Sequence, residues 1–190
     1  MDRRVAVAKL LAARDGALVV TGLGSPSYDV HAAGDVAGNY YLWGAMGGAA
    51  LVGLGIAQAQ PGKRVMVITG DGEQLMAFGA MATIAVAAPD NLDVIVLDNQ
   101  HFGETGMQQS HTGKGINLAA IAAACGFTQA RELRDLGEVD ALCADLLQPS
   151  TGPRLFVLKI KAENLPRSLP PRDATFIKTR FRAHLGLATC

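Results

Sequence analysis

Polar residues follow two strongly apolar stretches of the chain. Val65–Thr69 is followed by Gly70-Asp71-Gly72, and Leu92–Leu97 is followed by Asp98-Asn99. Ligands bind beyond the carboxyl ends of the strands in an open parallel sheet, so these residues could share one site. Carboxylate and amide oxygens suit Mg²⁺, which usually takes further oxygen ligands from phosphate. The pattern therefore makes Asp71 and Asn99 candidate ligands of a Mg²⁺ ion that is shared with a phosphate or diphosphate group.

The residues around Asp71 favour the same chemistry. The two flanking glycines let backbone N–H groups approach an anion, and a helix beginning near Glu73 would point the positive end of its dipole there. A carboxylate beside a diphosphate would be repelled by it. A divalent cation between the two groups removes that conflict, which is why we expect a metal.

The surrounding elements alternate between strands and helices, which predicts an α/β fold: a doubly wound parallel sheet with helices on both faces. The expected strands are Ala17–Val20, Tyr40–Trp43, Arg64–Thr69, Leu92–Leu97, Phe127–Ala130 and Leu155–Ile160. The expected helices are Arg3–Arg14, Met46–Gln58, Glu73–Ala88, Asn117–Cys125 and Leu136–Leu147, with a polar loop at Gln100–Gly115. We expect one domain over residues 1–190, in which residues 164–190 form a tail that docks on a neighbouring subunit.

Composition excludes several classes of partner. Lys+Arg and Asp+Glu both number 17, so no excess of positive charge favours a nucleic acid. No secretion signal is apparent, and glycines interrupt the most apolar stretch, Tyr40–Gln60, so no membrane span is expected. The scattered Cys125, Cys143 and Cys190 indicate neither a disulfide framework nor a metal cluster, and favour a cytoplasmic location.

The order of strand, Gly-Asp-Gly, helix, strand and Asp-Asn resembles the fingerprint of the thiamine-diphosphate enzymes. The resemblance implies that Asp71 and Asn99 bind Mg²⁺ through their side chains, and that His101 binds it through its backbone carbonyl. Family members usually have a second Asn beside the ligand, whereas this chain has Asp98-Asn99-Gln100.

A second segment, Trp43-Gly44-Ala45-Met46-Gly47, resembles the stretch that holds the aminopyrimidine ring of the cofactor in that family. The likeness implies that the Gly44 carbonyl accepts the 4′-amino group and that Met46 wedges the cofactor into its bent shape. The cofactor-binding residues expected from both segments are Gly44, Ala45, Met46, Gly70, Asp71, Gly72, Glu73, Asn99, His101, Phe102, Gly103 and Glu104.

Within the family, the chain resembles the small-subunit class of sulfopyruvate decarboxylase and the C-terminal half of phosphonopyruvate decarboxylase, over about residues 10–185. This implies decarboxylation of a small 2-oxo acid with release of an aldehyde. Those enzymes commonly have a Ser-Arg pair after the first strand, where this chain has Gly24–Asp29 and no arginine. In the Gln100–Gly115 loop, His101, Glu104 and His111 are candidates for catalytic roles.

The resemblance also implies a partner. Thiamine catalysis needs a carboxylate against N1′ of the pyrimidine, and in the family that Glu lies on a second domain for which 190 residues leave no room. A separate pyrimidine-domain (alpha) subunit is therefore expected, in an α2β2 or higher assembly. A carboligase or 2-oxo acid oxidoreductase subunit, a non-catalytic regulatory subunit, and a nucleotide-binding module using Gly22-Leu23-Gly24 remain alternatives.

Overall fold

The fold is an α/β sandwich around a six-stranded sheet in a computed structural model that describes residues 1–188. The strands of this sheet are β1 (Leu18–Thr21), β2 (Asn39–Tyr41), β3 (Val65–Gly70), β4 (Leu92–Asp98), β7 (Gln129–Leu133) and β8 (Arg154–Lys159). Their order across the sheet is β2-β1-β3-β4-β8-β7, and all neighbouring strands are parallel. A small hairpin, β5 (His101–Phe102) with β6 (Gln108–Gln109), lies outside it. The predicted fold class is confirmed.

Helices cover both faces of the sheet. They are α1 (Arg3–Ala12), α2 (Ser25–Ala32), α3 (Ala49–Ala59), α4 (Asp71–Met76), α5 (Ala80–Ala87), α6 (Leu118–Cys125), α7 (Leu136–Leu146) and α8 (Ala174–His184). Alternate strand residues enter opposite cores. In β3, Val65 and Val67 pack with the α3, α5 and α6 side, whereas Met66 and Ile68 pack with the α1, α2 and α7 side. Such two-sided burial explains the nearly uninterrupted apolar strand sequences.

The C-terminal helix α8 lies beside the edge strand β2. Its Ile177 joins one core and its Phe181 the other, where the Phe181 ring contacts Tyr40 edge-on. Arg180 of α8 forms an ion pair with Asp35 at 2.6 Å, and this contact also holds α8 against the β2 edge of the sheet. A covered edge is protected against pairing with other chains. This part of the tail packs on its own domain, and docking of the tail on a neighbouring subunit stays a prediction.

Two predicted helices differ from the observed ones. The predicted helix Met46–Gln58 begins only at Ala49, because Gly44 and Gly47 have positive φ angles of 73° and 90° and form a loop instead. The predicted helix Glu73–Ala88 is two helices, α4 and α5, separated at Ala77–Gly79. Glycine favours helix ends over helix interiors, and Gly79 is the N-cap of α5.

Helix α2 is not among the predicted helices. Its buried face includes Ser27 and Asp29, which an apolar periodicity does not detect. Asp29 is stabilised by Arg3 and Arg4 of α1, so a tertiary contact compensates for the burial of this carboxylate. The only local signal was Pro26 in the first turn, a position that proline favours.

Within residues 1–188, no helix is both long enough and apolar enough to cross a membrane. Cys125 and Cys143 are free thiols, and Cys190 lies outside the described residues.

Candidate active site

The predicted metal ligands meet at the carboxyl end of the sheet because β3 and β4 are direct neighbours. Gly70 pairs with Leu97, so Asp71 and Asn99 both emerge just beyond the ends of the paired strands. They line one cavity of about 150 Å³. The predicted cofactor residues that line this cavity are Met46, Gly70, Asp71, Gly72, Glu73, Asn99, His101, Phe102, Gly103 and Glu104. The structure thus brings together most of the predicted site.

Asp71 is the first residue of α4, and its side chain is held by the loop that follows β4. Its Oδ2 accepts a hydrogen bond from Ser110 Oγ at 2.5 Å and contacts Thr112 Oγ1 at 3.1 Å. Burial raises the pKa of the Asp71 carboxyl; the Ser110 hydrogen bond opposes the shift, and the nearby charge of Asp98 adds to it. A cation at this carboxylate would remove the cost of keeping it ionised.

Asn99 shapes the start of the loop. Its Oδ1 accepts a hydrogen bond from the His101 backbone N–H at 2.9 Å, and the His101 ring Nδ1 is 2.8 Å from the Asn99 carbonyl oxygen. Between them Gln100 has a φ of 63°, which the two contacts hold in place. An amide oxygen has two lone pairs, so this turn leaves one available to a cation.

Glu73 is buried and ties together the loops that surround the cavity. Its Oε2 accepts from the Leu23 N–H at 3.0 Å and its Oε1 from the Gly47 N–H at 3.3 Å. Burial raises the pKa of this carboxyl, and its hydrogen bonds oppose the shift. Gly22 makes this packing possible, since a Cβ there would lie 1.8 Å from Glu73 Oε2. Glu73 therefore supports the cavity walls through backbone contacts.

The segment predicted to hold the pyrimidine ring is a glycine loop at the edge of the cavity. Met46 lines the cavity and is 46% exposed, whereas Gly44 and Ala45 are not among the lining residues. A Cβ at Gly47 would be 3.5 Å from the Met76 Cβ, so this loop touches the end of α4. The roles of Gly44, Ala45 and Met46 stay predictions.

The three candidates for catalytic roles are placed differently. His101 and Glu104 line the cavity, but Glu104 forms an ion pair with Arg167 at 2.8 Å. His111 is exposed and outside the cavity wall, with its ring 6.4 Å from that of Phe102. The structure therefore brings two of the three together, and all three roles stay predictions.

Four further residues at the site were not found from the sequence. Arg3 and Ser25 line the cavity, and Ser110 and Thr112 contact Asp71 from behind it. Arg3 comes from α1, far away in the sequence, and its Nε lies 2.7 Å from Asp29 Oδ2. Ser110 and Thr112 lie in the Gln100–Gly115 loop, which follows β4 and Asn99. That position is the one sequence signal that could have indicated them.

The chemistry of these residues fits Mg²⁺ and a diphosphate. Oxygen ligands are what Mg²⁺ prefers, and Asp71 and Asn99 offer two of them beside the open backbone at Gly70, where a Cβ would meet nothing within 4 Å. Phe102 packs over Gly72, where a Cβ would be 2.9 Å from the ring. Within the described residues, no group of three or more His, Cys, Asp or Glu could hold a metal. The predicted Mg²⁺ ligands are instead one carboxylate, one amide and one backbone carbonyl.

Comparison with known proteins identifies the class. Residues 24–158 match the family described as thiamine pyrophosphate enzyme, C-terminal TPP binding domain. The chain therefore belongs to the thiamine-diphosphate enzymes, a family that uses Mg²⁺ with this cofactor, and the cofactor prediction is confirmed.

Among its relatives, the beta subunit of sulfopyruvate decarboxylase from Methanothermobacter thermautotrophicus is 33% identical over 189 residues, which cover 100% of this chain and 98% of that protein. Phosphonopyruvate decarboxylase from Streptomyces viridochromogenes is 38% identical over 95% of this chain and 45% of that protein. The predicted family resemblance is thus confirmed.

Solved structures support the fold. Benzoylformate decarboxylase from Polynucleobacter necessarius has a TM-score of 0.72 at 17% identity, covering 87% of this chain and 34% of that chain. The 4-hydroxybenzoylformate decarboxylase from Rhodococcus jostii has a TM-score of 0.73 at 18% identity, covering 85% and 33%. The chain thus spans about a third of these enzymes and under half of phosphonopyruvate decarboxylase.

Proposed function

We propose that the chain is the diphosphate-binding, beta-type subunit of a thiamine-diphosphate-dependent 2-oxo acid decarboxylase related to sulfopyruvate and phosphonopyruvate decarboxylases. The observation that supports it most is the convergence of Asp71 and Asn99 on one cavity whose wall includes Met46. Bound thiamine diphosphate supplies the electron sink for loss of CO₂. In this proposal Asp71, Asn99 and the His101 carbonyl hold the Mg²⁺, and Met46 holds the cofactor in its bent shape.

The carboxylates of this chain support a site completed by a partner. Among residues 1–188, three carboxylates line the cavity, and each is already engaged. Asp71 accepts from Ser110, Glu73 accepts from two backbone N–H groups, and Glu104 pairs with Arg167. The carboxylate that acts on the pyrimidine ring therefore comes from a separate alpha subunit in this proposal.

An exposed apolar surface beside the cavity supports the same assembly. Met46, Met76 and Phe78 are 46%, 64% and 48% exposed, and the Met46–Gly47 loop touches the end of α4. Clustered exposed apolar side chains commonly mark a protein interface. We propose that this surface contacts the alpha subunit and so brings its carboxylate to the cavity, in an α2β2 or higher assembly.

The central experiment compares the chain purified alone with the chain co-expressed with its partner, using sulfopyruvate, phosphonopyruvate and other 2-oxo acids. We expect negligible aldehyde release from the chain alone and turnover from the complex. Changing the partner's glutamate to glutamine should remove that turnover. Robust turnover by the isolated chain, with no second subunit detected by mass spectrometry, would contradict the split site.

The interface has a test of its own. Phe78→Lys should prevent co-purification with the partner, because it would place a charge in an apolar contact. Leu147→Lys is the matched control, since Leu147 is 47% exposed and follows α7 at the opposite end of the sheet. Loss of the partner in both variants, or in neither, would contradict the assignment of this surface.

A further inference from the structure

Behind the cavity lies a buried polar network that extends beyond the metal-ligand motifs. It contains Asp71, Asp98, Ser110 and Thr112, which are 3%, 1%, 0% and 4% exposed. Asp98 Oδ1 accepts from Thr112 Oγ1 at 2.7 Å, and Asp98 Oδ2 accepts from Lys159 Nζ at 2.5 Å. The network thus extends from the predicted metal ligand at the end of β3 to Lys159 at the end of β8.

The hydroxyl protons in this network can be assigned by distance. Each hydroxyl has one proton to donate. Ser110 Oγ is 2.5 Å from Asp71 Oδ2, whereas Thr112 Oγ1 is closer to Asp98, at 2.7 Å, than to Asp71, at 3.1 Å. Ser110 is therefore the donor to Asp71, and Thr112 is the donor to Asp98. Both hydroxyls contact the same Asp71 oxygen, Oδ2, so these contacts do not use Oδ1.

The same residues fasten the loop that follows Asn99. The Ser110 N–H donates to the Gln100 carbonyl at 2.8 Å, and the Gln100 N–H donates to Asp98 Oδ1 at 2.9 Å. Gln100 and Met107 both have left-handed φ angles, near 60°, which non-glycine residues adopt at some cost. Contacts at Ser110 and Thr112 hold the loop in that conformation while they hold Asp71.

We propose that Ser110 and Thr112 are positioning residues for the predicted metal site. They orient the Asp71 carboxylate toward the cation, and they couple that orientation to the conformation of the His101–Lys114 loop. The inference rests on the proposed function for the identity of the ligand. Outer-shell partners of metal ligands typically change metal affinity about 10- to 100-fold when they are removed.

The first test measures binding of thiamine diphosphate by calorimetry on the complex over a series of Mg²⁺ concentrations. Ser110→Ala should raise the Kd about 10-fold or more, and Thr112→Val should raise it less, because Thr112 acts through Asp98. Thr112→Ser keeps the hydroxyl and should restore wild-type affinity. An increase below about threefold for Ser110→Ala, or no recovery in Thr112→Ser, would overturn the proposal.

Thr21→Val is the matched control for the loss of a buried hydroxyl. Thr21 is fully buried, and its Oγ1 lies 2.6 Å from Ser27 Oγ, with no contact to Asp71. The Thr21→Val variant should lower thermal stability as Ser110→Ala does, yet it should leave the Kd for the cofactor unchanged. Equal weakening of cofactor binding in both variants would mean that general destabilisation explains the effect, and the positioning role would be overturned.

The second test needs neither cofactor nor partner. Hydrogen exchange of the full chain without metal should be faster across the His101–Lys114 loop in Ser110→Ala and in Asp71→Ala, which removes the acceptor, and unchanged there in Thr21→Val. Unchanged exchange in Ser110→Ala would overturn the coupling. If the wild-type complex binds no thiamine diphosphate with Mg²⁺, the proposed function fails, and the exchange result still decides whether Asp71 and the loop are coupled.

Discussion

Replacing Asp71 with asparagine should stabilise the metal-free protein while it abolishes cofactor binding. Asp71 is 3% exposed, and its side-chain partners are the hydroxyl groups of Ser110 and Thr112. Among the described residues, no Lys, Arg or His side chain forms an ion pair with it. Asparagine has nearly the same shape and no charge. The substitution therefore removes a buried charge without opening a cavity, and an asparagine oxygen can still accept from Ser110.

The magnitude follows from the neighbouring carboxylate. Asp71 and Asp98 both contact Thr112 Oγ1, at 3.1 and 2.7 Å, so their nearest oxygens are at most about 6 Å apart. Two like charges at that distance repel by about 3 kcal/mol at an effective dielectric constant near 20. Lys159, which is paired with Asp98, offsets part of this repulsion. We expect Asp71→Asn to raise the free energy of unfolding by about 1–2 kcal/mol, or about 2–8 °C in Tm.

Thermal unfolding of the full chain in EDTA across a pH series measures this effect. Burial raises the folded-state pKa of Asp71. The contribution of Asp71 to the stability of the wild-type protein is therefore most favourable at pH values below its unfolded-state pKa of about 3.9. That contribution is lost as the pH rises through the folded-state pKa. The advantage of Asp71→Asn should therefore grow from acidic to neutral pH. Asp140→Asn is the control, because Asp140 is 58% exposed and should change stability by less than about 0.5 kcal/mol.

Mg²⁺ and thiamine diphosphate should reverse the order of stability. At 100 times the Kd, a ligand stabilises the folded state by about 2.7 kcal/mol, which the wild-type complex should gain and the variant should not. A metal-free Asp71→Asn protein that is less stable than wild type at neutral pH would refute the reasoning about buried charge. An unchanged cofactor affinity would refute the assignment of Asp71 as a metal ligand.

Three further outcomes are expected. Asn99→Ala should weaken cofactor binding strongly in Mg²⁺ without abolishing it, as calorimetry would detect, because Asp71 would remain. Met46→Ala should lower kcat more than cofactor affinity, and a kcat within about twofold of wild type in a folded protein would contradict the wedge role. Gly22→Ala should lower the free energy of unfolding by about 1–3 kcal/mol, measured in urea, because its Cβ would displace the Glu73 carboxylate. Gly62→Ala, whose Cβ would meet nothing within 4 Å, is the control, and equal effects would contradict this explanation.

The strands and the metal-side residues could be predicted because their signals are local. Val65–Thr69 and Leu92–Leu97 are continuous apolar runs, and each is followed at once by the residues that face the cavity. Parallel neighbours bring such ends together, so the proximity of Asp71 and Asn99 followed from the fold class.

The residues that were missed depend on contacts between distant parts of the chain. Helix α2 was missed because Asp29 is buried against Arg3, more than twenty positions earlier, and a buried ion pair has no periodic signature. Ser110 and Thr112 lie in a polar loop, and nothing in its sequence shows that it folds back onto Asp71. The break between α4 and α5 also coincides with a close approach of Met76 and Ala77 to Gly47, a tertiary contact that the helical periodicity does not encode.

The strand order has a consequence for the order in which the protein folds. Strand β8 follows β7 in the chain, yet it lies between β4 and β7, so β7 has no partner in the main sheet until β8 has been made. Until then, β4 presents an unpaired edge during synthesis, a condition that favours misassembly and delays folding. Strand β8 also delivers Lys159 opposite Asp98, in register with the carboxyl end of β4. The polar network behind Asp71 is therefore completed only by the last strand, and a nascent chain that ends before Arg154 cannot form it.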